Sequence, residues 1–181
     1  MSSNMISIDP NKRNDMNHRY LMPEPIIMNQ GKGCHGKSTV IKNLKNLAES
    51  LSLPEEILSK LLAKSLNTSF DDKTKSFAGN FKLSNIKKYI DSIIEDVVLC
   101  PNCRSPELSK PDVIKKGKKD KNWSISYTCN GCGYNLVKQN NTFSTKNIIK
   151  YLENSNKKWV IKKGNSVQSS ELEFDNLSFD I

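Results

Sequence analysis

Apolar residues recur at helical spacing in four stretches of the chain, and short alternating runs separate them. From Thr39, the positions Val40, Ile41, Leu44, Leu47 and Leu51 predict a first helix. Pro54 stands where a first-turn proline belongs, and Glu55 and Glu56 suit the positive end of a second helix. Its buried stripe is Ile57, Leu58, Leu61, Leu62 and Leu66. Ser84 is placed to cap a third helix, which turns Ile86, Tyr89, Ile90, Ile93, Ile94 and Val97 to one side. Ile148, Ile149 and Leu152, with Tyr151, predict a short closing helix. Strands are expected at residues 25–28, around Phe70, near Phe77 and Phe81, and in the alternating run 123–127.

The resulting class is α+β, a small α/β domain followed by a three-stranded ribbon. The expected divisions are a flexible segment at 1–16, the α/β domain at 17–96, the ribbon at 97–138, a closing helix at 139–160 and an acidic tail at 161–181. No apolar leader opens the chain, and no run approaches the ~18 apolar residues of a membrane span, so a cytoplasmic monomer with no membrane partner is expected.

Charge narrows the partners. Lys and Arg number 28 against 19 Asp and Glu, for a net charge of +9. Residues 165–181 hold Glu171, Glu173, Asp175 and Asp180 with no Lys or Arg, which leaves +13 on residues 1–164. A basic body of this kind suits a phosphate-rich partner such as RNA or a ribonucleoprotein. The Lys-rich run from Lys115 to Lys121 is expected at a solvated hairpin tip.

Three features carry chemistry. Cys100 and Cys103, then Cys129 and Cys132, form a C-x₂-C…C-x₂-C frame that supplies a full tetrahedral thiolate set for Zn²⁺. Four sulfurs leave no open position, so the zinc is expected to be structural, and Cys34 is expected to be a bystander. Next, Gly31-Lys32-Gly33-Cys34-His35-Gly36-Lys37-Ser38 satisfies the phosphate-cradling G-x₄-G-K-[ST] pattern. A P-loop NTPase also needs a parallel sheet and an acidic Mg²⁺ ligand ending a second apolar strand, and too little chain follows Ser38 to build them. The third feature is Arg19, in His18-Arg19-Tyr20-Leu21-Met22-Pro23, on the flexible lead into the first domain. A guanidinium there is suited to insertion into another protein's site.

In this order, the R-Y-x-M-P lead, the glycine turn ending in K-[ST], two helices separated by proline, V-L-C-P-x-C and C-x-x-C-G-Y resemble one family. It is the amino-terminal domain of eukaryotic translation initiation factor five, with its paralogue, the beta subunit of initiation factor two. The resemblance runs from about Arg19 to Leu152. It implies a translation initiation factor that stimulates GTP hydrolysis by the initiation factor two complex, with initiator tRNA, on the small ribosomal subunit and its rRNA. The implied catalytic group is Arg19, an arginine finger acting in trans, in place of an enzyme with its own substrate. Lys37 and Lys60 are implied as partner-binding cations. The alternative is a non-catalytic ribosome- or tRNA-complex-binding module like the beta subunit. Departures are Cys34-His35 where Asn-Gly is usual, an altered segment near Leu66-Asn67-Thr68, and the lengthened Lys-rich loop. The family's carboxy-terminal helical-repeat domain is expected to be absent, so recruitment should differ or the acidic–aromatic tail should serve.

Overall fold

A computed structural model describes residues 4–15, 17–31, 36–115, 123–154 and 159. The chain opens with β1 (Met5–Ser7), which pairs antiparallel with β2 (Leu21–Pro23), Ile6 opposite Met22. This pairing puts Met5–Ser7 of the opening segment in a strand. The strand escapes the sequence pattern because only its inner residues are apolar or small: Ser7 and Ile8 are buried while Met5 is exposed. A 3₁₀ turn at Pro10–Lys12 follows, with Asp9 accepting from the Asn11 amide.

A four-stranded antiparallel sheet comes next, in the order β3-β4-β6-β5. It comprises β3 (Ile27–Gln30), β4 (Ser38–Ile41), β5 (Phe70–Asp71) and β6 (Ser76–Ala78). The expected helix from Thr39 is therefore a strand first. Thr39, Val40 and Ile41 are β-branched, and pairing with β3 and β6 on either side outweighs the helical spacing. Asn43 then turns the chain, accepting from the Ile26 amide at 2.9 Å and donating to the Glu24 carbonyl at 2.7 Å. Only after it does α1 run, at Leu44–Ser50. Phe81, placed near a strand by the sequence, lies outside β6 and packs against Gly79.

The second helix, α2 (Glu55–Ser65), buries Ile57, Leu58, Leu61 and Leu62 and carries Glu55 and Glu56 in its first turn, with Pro54 at the N-cap. The third, α3 (Leu83–Ile93), starts one residue ahead of Ser84, with Lys82 at its N-cap and no capping side chain. Its buried residues are Ile86, Ile90 and Ile93. A wider π turn at Ile94–Val98 prolongs it, closed by the Leu99 amide on the Ile94 carbonyl. That turn keeps Ile94, Val97, Val98 and Leu99 buried and delivers Cys100.

The ribbon sheet is β7 (Asp112–Lys115), β8 (Trp123–Thr128) and β9 (Asn135–Gln139), antiparallel with β8 central. Helix α4 (Phe143–Glu153), capped by Thr142, packs on both β8 and α2. One buried cluster runs from Leu47, Leu58 and Ile90 to Ile125 and Tyr127 of the ribbon and Ile148 of α4. The tip of the Lys-rich run beyond Lys115 and the acidic tail lie outside the described residues, as does Cys34.

Candidate functional site

Both cysteine pairs sit on turns of the same backbone form. After Cys100, the Arg104 amide donates to the Cys100 carbonyl at 2.8 Å and the Cys100 amide to the Ser105 carbonyl at 3.0 Å. After Cys129, the Gly133 amide donates to the Cys129 carbonyl at 2.8 Å and the Cys129 amide to the Tyr134 carbonyl at 2.9 Å. These knuckles meet. The Cys100 and Cys132 sulfurs are 3.8 Å apart and those of Cys103 and Cys129 3.6 Å, with all four inside a 4.8 Å span. A tetrahedral ion with metal–sulfur bonds of about 2.3 Å sets sulfurs roughly 3.8 Å apart, so the residues present fit a metal ion. Cys100 and Cys129 are buried, Cys103 and Cys132 exposed. The Asn102 amide, 3.5 Å from the Cys132 sulfur, and the Tyr134 backbone amide hold that thiol down to about 6.

Arg19 is exposed on the loop that joins β1 to β2, its guanidinium 5.3 Å from the Tyr20 ring centre. The sequence suggests a flexible lead; in the structure several residues of the loop bond to the elements around it. The Ile8 amide donates to the Tyr20 carbonyl at 3.0 Å, and His18 Nδ1 lies 2.8 Å from Ser7 Oγ. Arg13 forms an ion pair with Asp91 on α3. From the first knuckle, Arg104 reaches Asp9 with two parallel bonds, Nη2 to Oδ1 at 2.8 Å and Nε to Oδ2 at 3.1 Å. Tyr20 donates its hydroxyl to Glu107.

These partners tune one another. The Asp9 side chain is only 1% exposed, yet the Arg104 guanidinium holds its carboxyl below the usual aspartate range against the pull of burial. The bond to Glu107 raises the Tyr20 phenol above its ordinary value, so it stays a donor at neutral pH. Arg104 also occupies the left-handed region, at φ +57°. A non-glycine residue there costs about 1 kcal/mol, and the paired bonds to Asp9 offset it. Sequence reasoning missed Asp9, Arg104 and Glu107. The available signal was Arg104 itself, at the position where the second knuckle has glycine.

The two lysines stand elsewhere. Lys37 is exposed at the base of the β3–β4 turn, its carbonyl accepting from the Gly79 amide at 2.8 Å. Lys60 is exposed on α2, with Nζ 2.6 Å from Glu56 one turn earlier. It borders a groove of about 370 Å³ that Lys64, Phe70 and Phe143 also line. Arg19, Lys37 and Lys60 thus occupy three different elements, a loop, a hairpin and a helix.

The remote alternative of a P-loop NTPase finds no support in the described topology. Ser38 opens β4, which returns antiparallel to β3 with Gln30 opposite Ser38, where a P-loop requires a helix. Every described strand pairing is antiparallel, and residues 32–35 of the string lie outside the described residues. Among the described residues, no helix is long and apolar enough to cross a membrane.

Comparisons with known proteins cover most of this chain. The model of a domain found in initiation factors 2B and 5 matches residues 10–135. Eukaryotic translation initiation factor 5 of Drosophila melanogaster is 33% identical over 141 residues, covering 74% of this chain and 29% of the fly protein. The Mus musculus protein of the same name is 32% identical, covering 71% of this chain and 30% of its own length. Translation initiation factor 2 subunit beta of Methanopyrus kandleri is 29% identical over 64% of this chain and 75% of its own. The chain therefore spans under a third of these factor 5 relatives and most of the archaeal one.

Proposed function

The chain belongs to the family defined by the domain of initiation factors 2B and 5, a translation initiation factor family, and on that premise we propose that it presents Arg19 in trans to the GTPase of initiation factor two. The observation that carries this reading is an exposed guanidinium on a loop whose neighbours on both sides are pinned. A finger must be accessible, and it must also be held, because disorder in the free state subtracts from the stabilisation it gives the transition state.

Arg19 offers planar N–H groups that are charged at every working pH, suited to the β/γ-phosphate oxygens as negative charge redistributes between them. Trans-acting fingers of this kind raise hydrolysis on the order of 10³–10⁵-fold. Lysine, a point charge without the fork, cannot reproduce the geometry. Lys37 and Lys60 serve as salt-sensitive contacts to the phosphate-bearing partner complex of initiator tRNA and small-subunit rRNA. Lys60 must first exchange its Glu56 pair, so its contribution is the smaller of the two. Zinc is the metal we assign to Cys100, Cys103, Cys129 and Cys132, since four thiolates in a tetrahedron select it. When bound, it supplies structure only; the ligand set is closed.

Single-turnover hydrolysis of GTP by the initiation factor two complex tests the reading. Wild-type protein should accelerate phosphate release and Arg19→Ala should abolish the acceleration; equal rates with both would refute it. A second reading, a non-catalytic module resembling the beta subunit, draws on the 75% coverage of the archaeal protein. Binding to the tRNA complex without any Arg19-dependent rate would favour it.

A further inference from the structure

We propose that the first cysteine knuckle is the seat of the Arg19 loop: Arg104 and Glu107 are positioning residues that grip Asp9 and Tyr20 and thereby couple metal binding to the presentation of Arg19. The functional half of this inference rests on Arg19 acting as a finger; the coupling itself does not.

Arg104 directly follows the ligand Cys103, and its left-handed backbone is the bend that the knuckle needs. Its side chain leaves the bend toward Asp9, two residues after the end of β1 and buried with its charge. Glu107, three residues after Arg104, touches the second knuckle. Its carbonyl accepts from the Asn130 amide at 2.8 Å, and a Cβ added to Gly131 would meet its carboxylate at 3.2 Å. The same side chain takes the Tyr20 hydroxyl, next to Arg19. Bridging Leu108 to Cys129 locks Glu107 into the second knuckle. Closing the four sulfurs on a metal therefore fixes Arg104 and Glu107 together, and these hold the loop near its two ends. An open metal site leaves the knuckles free to part, and both grips then go.

Asp9 explains why the device is selective. A carboxylate this buried needs a positioned partner, and the bidentate guanidinium is the one that meets both its oxygens. Glu95, 3.5 Å from the same Nη2 that meets Asp9, gives the guanidinium a second carboxylate neighbour.

Arg104→Gly separates the clamp from the fold, because glycine adopts the left-handed bend without strain while removing the guanidinium. Cobalt(II) is the probe for the metal site, read by its thiolate charge-transfer bands, and amide hydrogen exchange at Ile8 is the probe for the loop. Ile8 donates to the Tyr20 carbonyl and so reports closure. The expected result is an unchanged cobalt spectrum in Arg104→Gly with Ile8 exchange faster on the order of tenfold. Glu107→Ala should also accelerate Ile8 by loosening Tyr20, and Glu107→Gln, which keeps an acceptor, should restore protection. Chelating the metal from wild-type protein should accelerate Ile8 at least as much. Unchanged Ile8 exchange in both Arg104→Gly and metal-free protein would overturn the coupling. Loosened exchange with no Arg19-dependent GTP hydrolysis in any variant would sink the finger while the coupling stands. Full hydrolysis in a loosened Arg104→Gly would instead overturn the positioning role.

Discussion

Two knuckles bring the four cysteines together, and the residue after the second cysteine is Arg104 in one and Gly133 in the other. Each places an amide 2.8 Å from the carbonyl of its first cysteine and then bends through positive φ, +57° at Arg104 and +71° at Gly133. Around Gly133, an added Cβ would meet nothing within 4 Å, so that bend simply faces open space. Arg104 keeps the bend in spite of its side chain and sends that side chain to a buried Asp9. The same local backbone thus closes the site in one case and in the other also carries a contact between the ribbon and the Arg19 loop. A strained residue with a partner on another element indicates a role that glycine at the same place does not.

The largest effect should come from breaking what the two knuckles share. Removing the metal with a chelator, or replacing Cys129 with Ser, should abolish the cooperative thermal transition of the ribbon, followed by circular dichroism. Structural zinc contributes about 10–16 kcal/mol in small metal modules at neutral pH. A ribbon that melts unchanged without metal would dismiss the structural assignment.

Next in size is the pair that only the first knuckle has. Arg104→Ala leaves the Asp9 carboxylate buried and unpaired, and should cost about 2 kcal/mol in urea unfolding, less than a fully buried pair because Arg104 itself is 40% exposed. Adding Asp9→Asn to that variant should return part of the loss, since the buried charge is gone. A double-mutant cycle with no coupling between the two sites would contradict the geometry.

The bends themselves should differ by less. Gly133→Ala should lose about 1 kcal/mol through backbone strain alone, with no steric clash to add to it. Arg104→Gly should regain about 1 kcal/mol on the bend and lose the ion pair, ending between Arg104→Ala and wild type in stability.

Acid should give the smallest and most gradual effect. Asp9 titrates below its unfolded value, so its contribution is complete above the ordinary aspartate range of about 4 and fades as pH falls through the lower folded value. The slope of stability against pH in that window should flatten in Asp9→Asn.

Much of this architecture is legible in the sequence, for physical reasons that can be named. The stripes of α2 and α3 are long and uninterrupted, and the C-x₂-C spacing marks the metal site almost without context. Residues 39–41 mislead because their spacing fits a helix, while β-branching and two neighbouring strands make them β4. The lead segment is harder still. β1 spans three residues with one buried side chain, and the chain around it is held by β2 and by Arg104, 95 positions away from Asp9. Contacts of that separation leave no local periodicity to read. Arg19 is visible only by resemblance; what holds its loop is not visible at all.

Arg19→Lys is the variant that tests the central claim most directly, because it keeps the charge and discards the fork. In single-turnover GTP hydrolysis by the initiation factor two complex, with binding of the domain verified in the same samples, Arg19→Lys should bind like wild type and accelerate no more than Arg19→Ala. Wild-type acceleration from the lysine variant would show that charge alone suffices, and would contradict a guanidinium acting on the triphosphate.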